Sequence, residues 1–154
     1  MASIRRELRI DRSADDVWAI AGDPATIHRW FPGIVSSTVE VTDDATLRHV
    51  VLGTGIPLVE QIVTNDAITR RFQYRITGGF FREHLGTVDV IALSDQSCLA
   101  VYGTDATPDV MALVLGGASG VALENLRDLV ESTPIDEHTD DNTARRDTER
   151  EAMN

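Results

Sequence analysis

Lysine is absent from this chain of 154 residues, and all fourteen of its basic side chains are arginines. Without a primary side-chain amine, the protein cannot form a Schiff base with a carbonyl substrate or with pyridoxal phosphate. The exclusive use of arginine is also typical of a GC-rich bacterial genome. The chemistry of this protein must therefore come from other side chains.

Cysteine is nearly absent as well. Cys98 is the only one, which excludes an intramolecular disulfide and a zinc site built from cysteines. The histidines are scattered one by one over different segments, at His28, His49, His84 and His138, so we expect no metal site. Gly53 and Gly55 lack the third glycine of a dinucleotide-binding loop, and we expect no cofactor.

Positive charge is scarce, since the formal net charge is −11 and the pI is near 4.6. This balance argues against nucleic acid and anionic membrane surfaces as partners, because both are bound through clustered basic residues. No stretch reaches the roughly 20 consecutive apolar residues of a membrane span, and we expect no membrane insertion. The first ten residues carry arginines without an apolar segment behind them, which predicts a cytoplasmic protein.

The residues that are present predict one globular domain, with 42% apolar and 25% charged residues. Alternating apolar and polar side chains over Ile4 to Ile10 predict a half-buried strand. Ser13 and Asp16 form a capping box at the start of a short helix, and a second short helix is predicted over Ala25 to Trp30.

The middle of the chain predicts six further strands that are separated by short turns, which favours an antiparallel meander. They are expected at Val35 to Val41, Leu47 to Leu52, Leu58 to Thr64, Thr69 to Thr77, His84 to Leu93 and Cys98 to Ala106.

A long helix is predicted to begin at Thr107-Pro108-Asp109, with Thr107 as its capping residue, and to run to about Glu131. Three glycines at positions 116, 117 and 120 are unfavourable inside a helix, so the helix bends there or approaches something closely. We predict a folded domain over residues 1–133 and a disordered acidic tail over residues 134–154, because the tail has almost no apolar side chains.

This order of elements resembles the polyketide cyclase/dehydrase and lipid-transport superfamily, the START-like and birch-allergen-like proteins. The resemblance covers about residues 3 to 131 and is carried by the segments Ile10 to Trp18, Trp30 to Pro32, Arg71 to Ile76 and Ala122 to Leu126, with Arg48, Gly55 and Glu60 between them. It implies an α+β helix-grip fold, in which a curved antiparallel sheet of about seven strands wraps around a long C-terminal helix. It also implies a ligand between sheet and helix, where the small residues at 116 to 120 would leave room beneath the helix or let it bow.

Polar and aromatic residues inside the strand patterns are the candidates for lining this cavity. Tyr74 shares a face with Phe72 and Ile76 and should point inward, and Tyr102 is a second aromatic candidate. Glu60 is either an inward proton-transfer group, a surface residue, or the partner of a nearby arginine. The remaining candidates are His84 at the cavity entrance or at a solvated strand end, Trp30 as lining or packing, and Gly117.

Two functions are compatible with these residues. The first is binding or transport of a hydrophobic small molecule, such as a lipid, an isoprenoid or a polyketide-like compound. The second is a cyclase or dehydratase in which Glu60 or His84 moves a proton. We favour binding, because no tight acid and base constellation is visible; the ligand and the oligomeric state do not follow from the sequence.

Overall fold

The computed structural model describes residues 1–134, and within this range the chain forms seven strands, two α-helices and one 3-10 helix. In chain order they are β1 (Ala2–Ile10), α1 (Ala14–Ala21), the 3-10 helix (Pro24–Arg29), β2 (Ile34–Val41), β3 (Thr46–Leu52), β4 (Pro57–Asp66), β5 (Arg71–Ile76), β6 (Glu83–Ser94), β7 (Ser97–Thr107) and α2 (Asp109–Ser132). The predicted order of elements is confirmed. The predicted tail over residues 134–154 lies outside the described residues, apart from Pro134.

All seven strands belong to one antiparallel sheet with the order β1-β7-β6-β5-β4-β3-β2. Strands β2 to β7 form the predicted meander, and β1 adds to its far edge beside β7. The register shifts in β2, β4 and β6, and such bulges bend strands and increase their twist. Helix α2 packs on β1 and β7, which gives the α+β helix-grip fold.

The start of α1 follows the sequence signal. The backbone N–H of Asp16 donates to the Ser13 hydroxyl over 3.1 Å, which is the first bond of a capping box, and the Ser13 hydroxyl donates to the Asp16 carboxylate over 2.7 Å. The second short helix is of the 3-10 type, and the Asp23 carboxylate caps it by accepting from the backbone N–H of Ala25 over 2.9 Å. These two short helices connect β1 to β2.

The start of α2 differs from the prediction. Thr107 is the last residue of β7, and its hydroxyl donates to the Glu83 carboxylate over 3.2 Å instead of capping the helix. Pairing with β6 holds Thr107 in the sheet, so the N-cap position falls to Pro108, which makes no side-chain capping bond. Asp109 remains in the first turn, where a negative charge suits the helix dipole.

Two neighbouring glycines of α2 differ in their surroundings, and only Gly116 allows a close approach of the helix to β1. Gly116 is buried, and a Cβ atom there would overlap the side chain of Ile4. Gly117 is exposed, with nothing within 4 Å of the position its Cβ would take. Gly117 therefore faces away from the sheet and does not line the space beneath the helix, where the sequence analysis placed it.

Helix α2 is long and apolar enough to pass a length-and-composition test for a membrane span, with a mean hydropathy of 1.3. The core helix of a soluble protein passes the same test. In its second half, Ala122, Leu123, Leu126 and Val130 are buried in the hydrophobic core, whereas Val110, Leu113 and Val114 in its first half are exposed.

Candidate ligand-binding cavity

A cavity of about 240 Å³ lies between the sheet and the first half of α2. Its lining is almost entirely apolar apart from one charged pair and two tyrosines. The lining side chains come from the 3-10 helix and the segment after it (Ile27, Phe31), strands β2 to β5 with their loops (Ile34, Arg48, Val50, Leu52, Ile56, Leu58, Glu60, Tyr74, Ile76, Phe80, Phe81), β7 (Tyr102) and α2 (Met111, Val114, Leu115).

Strand alternation places the polar residues of this cavity. On β3, Arg48 and Val50 are buried on one face while His49 points outward to Glu40, with 2.8 Å between Nε2 and the carboxylate. On β4, Glu60 lies opposite Arg48 in the antiparallel register. Two charged side chains are thereby brought together on the inner face of the sheet.

Arg48 and Glu60 form a buried ion pair. The Nε atom of Arg48 donates to Oε2 of Glu60 over 2.5 Å, and the two residues are only 2% and 4% exposed. Burial raises the pKa of Glu60, while the charge of Arg48 and its hydrogen bond lower it, and burial is the larger effect. The alternative in which Glu60 pairs with a nearby arginine is the one that the structure contains.

Two tyrosines complete the polar end of the cavity. The hydroxyls of Tyr74 and Tyr102 lie 2.7 Å apart, so one donates to the other. Burial raises the pKa of both phenols above its ordinary value. The Tyr74 ring lies over Gly86, where any Cβ atom would overlap it, and the Arg48 guanidinium lies 4.8 Å from the ring centroid.

Aromatic rings support Tyr102 from the side of the 3-10 helix. The ring centroids of Trp30 and Phe31 lie 6.1 and 5.9 Å from that of Tyr102. The carbonyl of Trp30 accepts from the Asn125 side chain over 3.0 Å, which ties this segment to α2. Phe31 lines the cavity, whereas Trp30 packs behind Tyr102 in the hydrophobic core.

His84 is buried beside the cavity but is not among its lining residues. Its Nδ1 atom accepts from the backbone N–H of Ile76 over 3.1 Å, which leaves Nε2 as the protonated nitrogen of the neutral ring. Within residues 1–134, Nε2 has no hydrogen-bond partner. Burial lowers the pKa of His84 to about 4, although Asp105 opposes this shift.

A depression of about 520 Å³ on the other side of His84 is larger than the cavity. Charged side chains line much of it, including Arg75, Arg82, Glu83 and Asp105. An apolar molecule gains little from such surroundings, and we therefore assign the candidate site to the apolar cavity.

Apolar side chains surround the way into the cavity. Phe80, Ile56 and Val114 line it and are 81%, 50% and 59% exposed. Phe80 follows Gly78 and Gly79, which both have positive φ angles and form the turn before β6. An apolar molecule can therefore enter between this turn and α2 without passing a charged side chain of the lining.

Three of the six candidate residues meet in the cavity. Glu60, Tyr74 and Tyr102 line it, while Trp30, His84 and Gly117 do not. Arg48, which the sequence reasoning did not select, is the missing partner of Glu60. Its signal was the alternation on β3, where Arg48 shares a face with Val50 and Leu52.

Metal-binding residues are not clustered in the part of the chain that the structure describes. Among residues 1–134, no group of three or more His, Cys, Asp or Glu side chains could hold an ion. The cavity itself can bind an apolar molecule through its lining and offer hydrogen bonds to one end of that molecule.

Several solved structures share this fold. A protein from Thermobifida fusca is 28% identical with a TM-score of 0.69, and the match covers 84% of this chain and 93% of that protein. A START superfamily protein from Mycobacterium smegmatis is 14% identical with a TM-score of 0.70, covering 84% and 97% of the two chains. A truncated norcoclaurine synthase from Thalictrum flavum is 19% identical with a TM-score of 0.67, covering 86% and 95%. No curated protein matches the chain.

The family comparison agrees with the architecture. The family model described as polyketide cyclase/dehydrase and lipid transport matches residues 1–131, which include every element from β1 to nearly the end of α2. The START superfamily protein and the norcoclaurine synthase share the overall fold of this chain. The chain belongs to the polyketide cyclase/dehydrase and lipid transport family.

Proposed function

We propose that this protein binds a hydrophobic small molecule in the cavity between the sheet and α2. The observation that carries the proposal is the apolar lining of the cavity, which ends at the buried Arg48–Glu60 pair and the two tyrosines. Burial of apolar ligand surface would supply affinity, and the polar end would fix the orientation of the ligand. A lipid, an isoprenoid or a polyketide-like compound has the required chemistry.

The size of the cavity favours a compact ligand. Its volume of about 240 Å³ lies below the roughly 300–1,000 Å³ of sites for drug-sized molecules. One apolar chain or one small ring system fits this volume better than a two-chain lipid, whose remainder would protrude past Phe80. A cytoplasmic carrier of a single-chain or small-ring compound is the function we propose.

A cavity-filling substitution tests the proposal. Leu115 lines the cavity, whereas Leu113 on the same helix is 63% exposed. Leu115→Trp should weaken the binding of an apolar fluorescent probe by about tenfold or more, because it occupies ligand volume. Leu113→Trp is the matched control and should leave the dissociation constant of the probe unchanged.

Circular dichroism of both variants checks that the fold is retained. If Leu115→Trp folds and binds the probe as well as the wild type does, the probe does not use the cavity. In a separate experiment, native mass spectrometry of wild-type protein purified from its own host identifies the natural ligand directly.

A second candidate function is catalysis of the cyclase or dehydratase kind. Glu60 favours it, because a buried carboxylate of raised pKa beside a reactive cavity suits proton transfer. We favour binding since one oxygen of Glu60 is already engaged by Arg48, and since His84 is absent from the cavity lining.

The two candidate functions, binding and catalysis, predict different results when the protein is incubated with a substrate-like compound. An enzyme should convert a poly-β-ketone thioester into a cyclised product that absorbs in the ultraviolet, and Glu60→Gln should slow this conversion by about 10²-fold or more. A binding protein should return the thioester unchanged.

A further inference from the structure

The polar end of the cavity has unused hydrogen-bonding capacity of both kinds. Within residues 1–134, Arg48 donates only from Nε, so its terminal N–H groups have no hydrogen-bond acceptor. Glu60 accepts only at Oε2, and Oε1 receives no hydrogen bond from the described part of the chain. In the tyrosine pair, the hydroxyl that accepts has no acceptor for its own proton among the described residues. A ligand group placed there meets donors and an acceptor together.

The charges at this end cancel. Arg48 and Glu60 are in direct contact, and both side chains are almost fully buried. A ligand carboxylate that reaches Arg48 would lie beside the Glu60 carboxylate, and a ligand ammonium that reaches Glu60 would lie beside the guanidinium. Like charges placed together without water cost several kcal/mol, whereas a hydroxyl or a carbonyl meets no such penalty.

We propose that Glu60 is the specificity-determining residue that makes this cavity select neutral oxygen head groups, such as alcohols and ketones, over carboxylates. The inference rests on the proposed function, because it describes how the same cavity recognises one end of its ligand. Glu60 acts by its charge: it neutralises Arg48, which would otherwise attract an acid.

The substitution Glu60→Gln separates charge from shape. Glutamine keeps the size of the side chain and an oxygen acceptor, but it leaves the Arg48 charge unpaired. A ligand carboxylate can then take the place of the missing one through the terminal N–H groups of Arg48. The preference of the cavity should therefore move from the alcohol toward the acid.

The experiment compares decanol with decanoate, two apolar chains of equal length that differ in head group. Their dissociation constants are measured on the full chain by competition with the fluorescent probe at about pH 8, where decanoate is ionised. Wild-type protein should bind decanol at least about tenfold more tightly than decanoate. In Glu60→Gln the ratio of the two constants should shift toward decanoate by about tenfold or more.

Glu40→Gln is the matched control. Glu40 is exposed on β2 and pairs with the outward-facing His49, so this change removes the same charge outside the cavity. It should leave the ratio of decanol to decanoate affinities as in the wild type. A shift as large as that of Glu60→Gln would mean that net charge, and not Glu60, sets the preference.

A double variant keeps the proposal testable if Glu60→Gln does not fold. Arg48→Met with Glu60→Met removes both charges at once and leaves neither of them buried alone. An apolar cavity end binds a carboxylate poorly, because nothing there replaces the water that the carboxylate loses. If Glu60 neutralises Arg48, the double variant should prefer decanol over decanoate by about the same ratio as the wild type. A preference for decanol that exceeds the wild-type ratio by about tenfold or more would mean that Arg48 attracts acids in spite of Glu60, and it would overturn the proposal.

The outcomes separate this inference from the proposed function. Equal wild-type affinity for decanol and decanoate, with tight binding of the probe, would overturn the role of Glu60 and leave the cavity as a binding site. Failure of every apolar probe to bind would overturn the proposed function itself.

Discussion

The two ends of this domain fill their interior in opposite ways. At the packed end, α1 and the second half of α2 lie against the sheet, and the core consists of apolar side chains such as Val17, Val90, Leu126 and Val130. At the open end, β3 to β5 face the first half of α2 across a cavity, and the sheet buries Arg48 and Glu60 there.

The same sheet serves both ends, so strand alternation alone does not cause the difference. Helix α2 contacts β1 and β7 closely, and Gly116 removes the side chain that would prevent this contact. Strands β3 to β5 lie farther along the sheet order from that contact. Even in its first half, α2 is therefore packed closely on β1, and the space for a ligand and a charged pair remains between this half of the helix and β3 to β5.

The largest expected effect comes from breaking the charged pair of the open end. Arg48→Met leaves Glu60 buried without its partner and should lower the free energy of unfolding by about 3–5 kcal/mol. Arg48 lowers the pKa of Glu60, so its removal lets burial raise that pKa further. The folded variant then binds a proton more readily than the unfolded chain, and lowering the pH should reduce its loss of stability.

Leu126→Ala provides the contrast at the packed end. It should cost about 2–5 kcal/mol by leaving a cavity among apolar side chains, without changing a titratable group. Urea unfolding near pH 8 and near pH 5 compares the two variants. If Arg48→Met loses the same free energy of unfolding at both pH values, the pKa of Glu60 is not raised further in this variant, and the prediction is wrong.

The next effect concerns His84, where a titratable ring borders the open end. Its folded pKa of about 4 lies below the ordinary value of 6.5, so the unfolded chain binds more protons between these two values. Stability should be fully present above about pH 6.5 and fall by up to about 3 kcal/mol as the pH decreases through this window. His84→Gln should remove this part of the pH dependence, as measured by urea unfolding across the range.

The wild type, measured over the same pH range, is the reference for this variant. An unchanged slope in His84→Gln would mean that the acid sensitivity of the fold arises from other groups.

The smallest expected effect sharpens the comparison on α2 itself. Gly116→Ala forces the helix away from Ile4 and should lower the free energy of unfolding by about 1–3 kcal/mol. Gly117→Ala meets nothing and should raise it by up to about 1 kcal/mol, through the higher helix propensity of alanine. Thermal unfolding of both variants measures the pair. Equal shifts in the same direction would show that helix propensity alone governs this segment.

Particular residues show how far the sequence reaches. Alternation on β5 correctly predicted that Tyr74 points inward, because Phe72 and Ile76 share one face and arginines flank them on the other. For Glu60, strand alternation does not predict the direction of the side chain, because Val59 and Val63 make the opposite face of β4 equally apolar. Arg48 resolved this ambiguity, and it lies on a different strand.

The sequence by itself determined the order of elements, the antiparallel meander and the capping box of α1, because each depends on side chains close together along the chain. The tertiary structure decided which glycine of α2 meets the sheet, which end of the domain remains open, and which charges pair inside it. Gly116 is distinguished from Gly117 by its contact with Ile4, and Arg48 offsets part of the cost of burying the Glu60 charge. Arg48 and Glu60 are 12 positions apart in the sequence, and Ile4 and Gly116 are more than a hundred apart. Local sequence patterns do not predict which residues so far apart in the sequence come into contact.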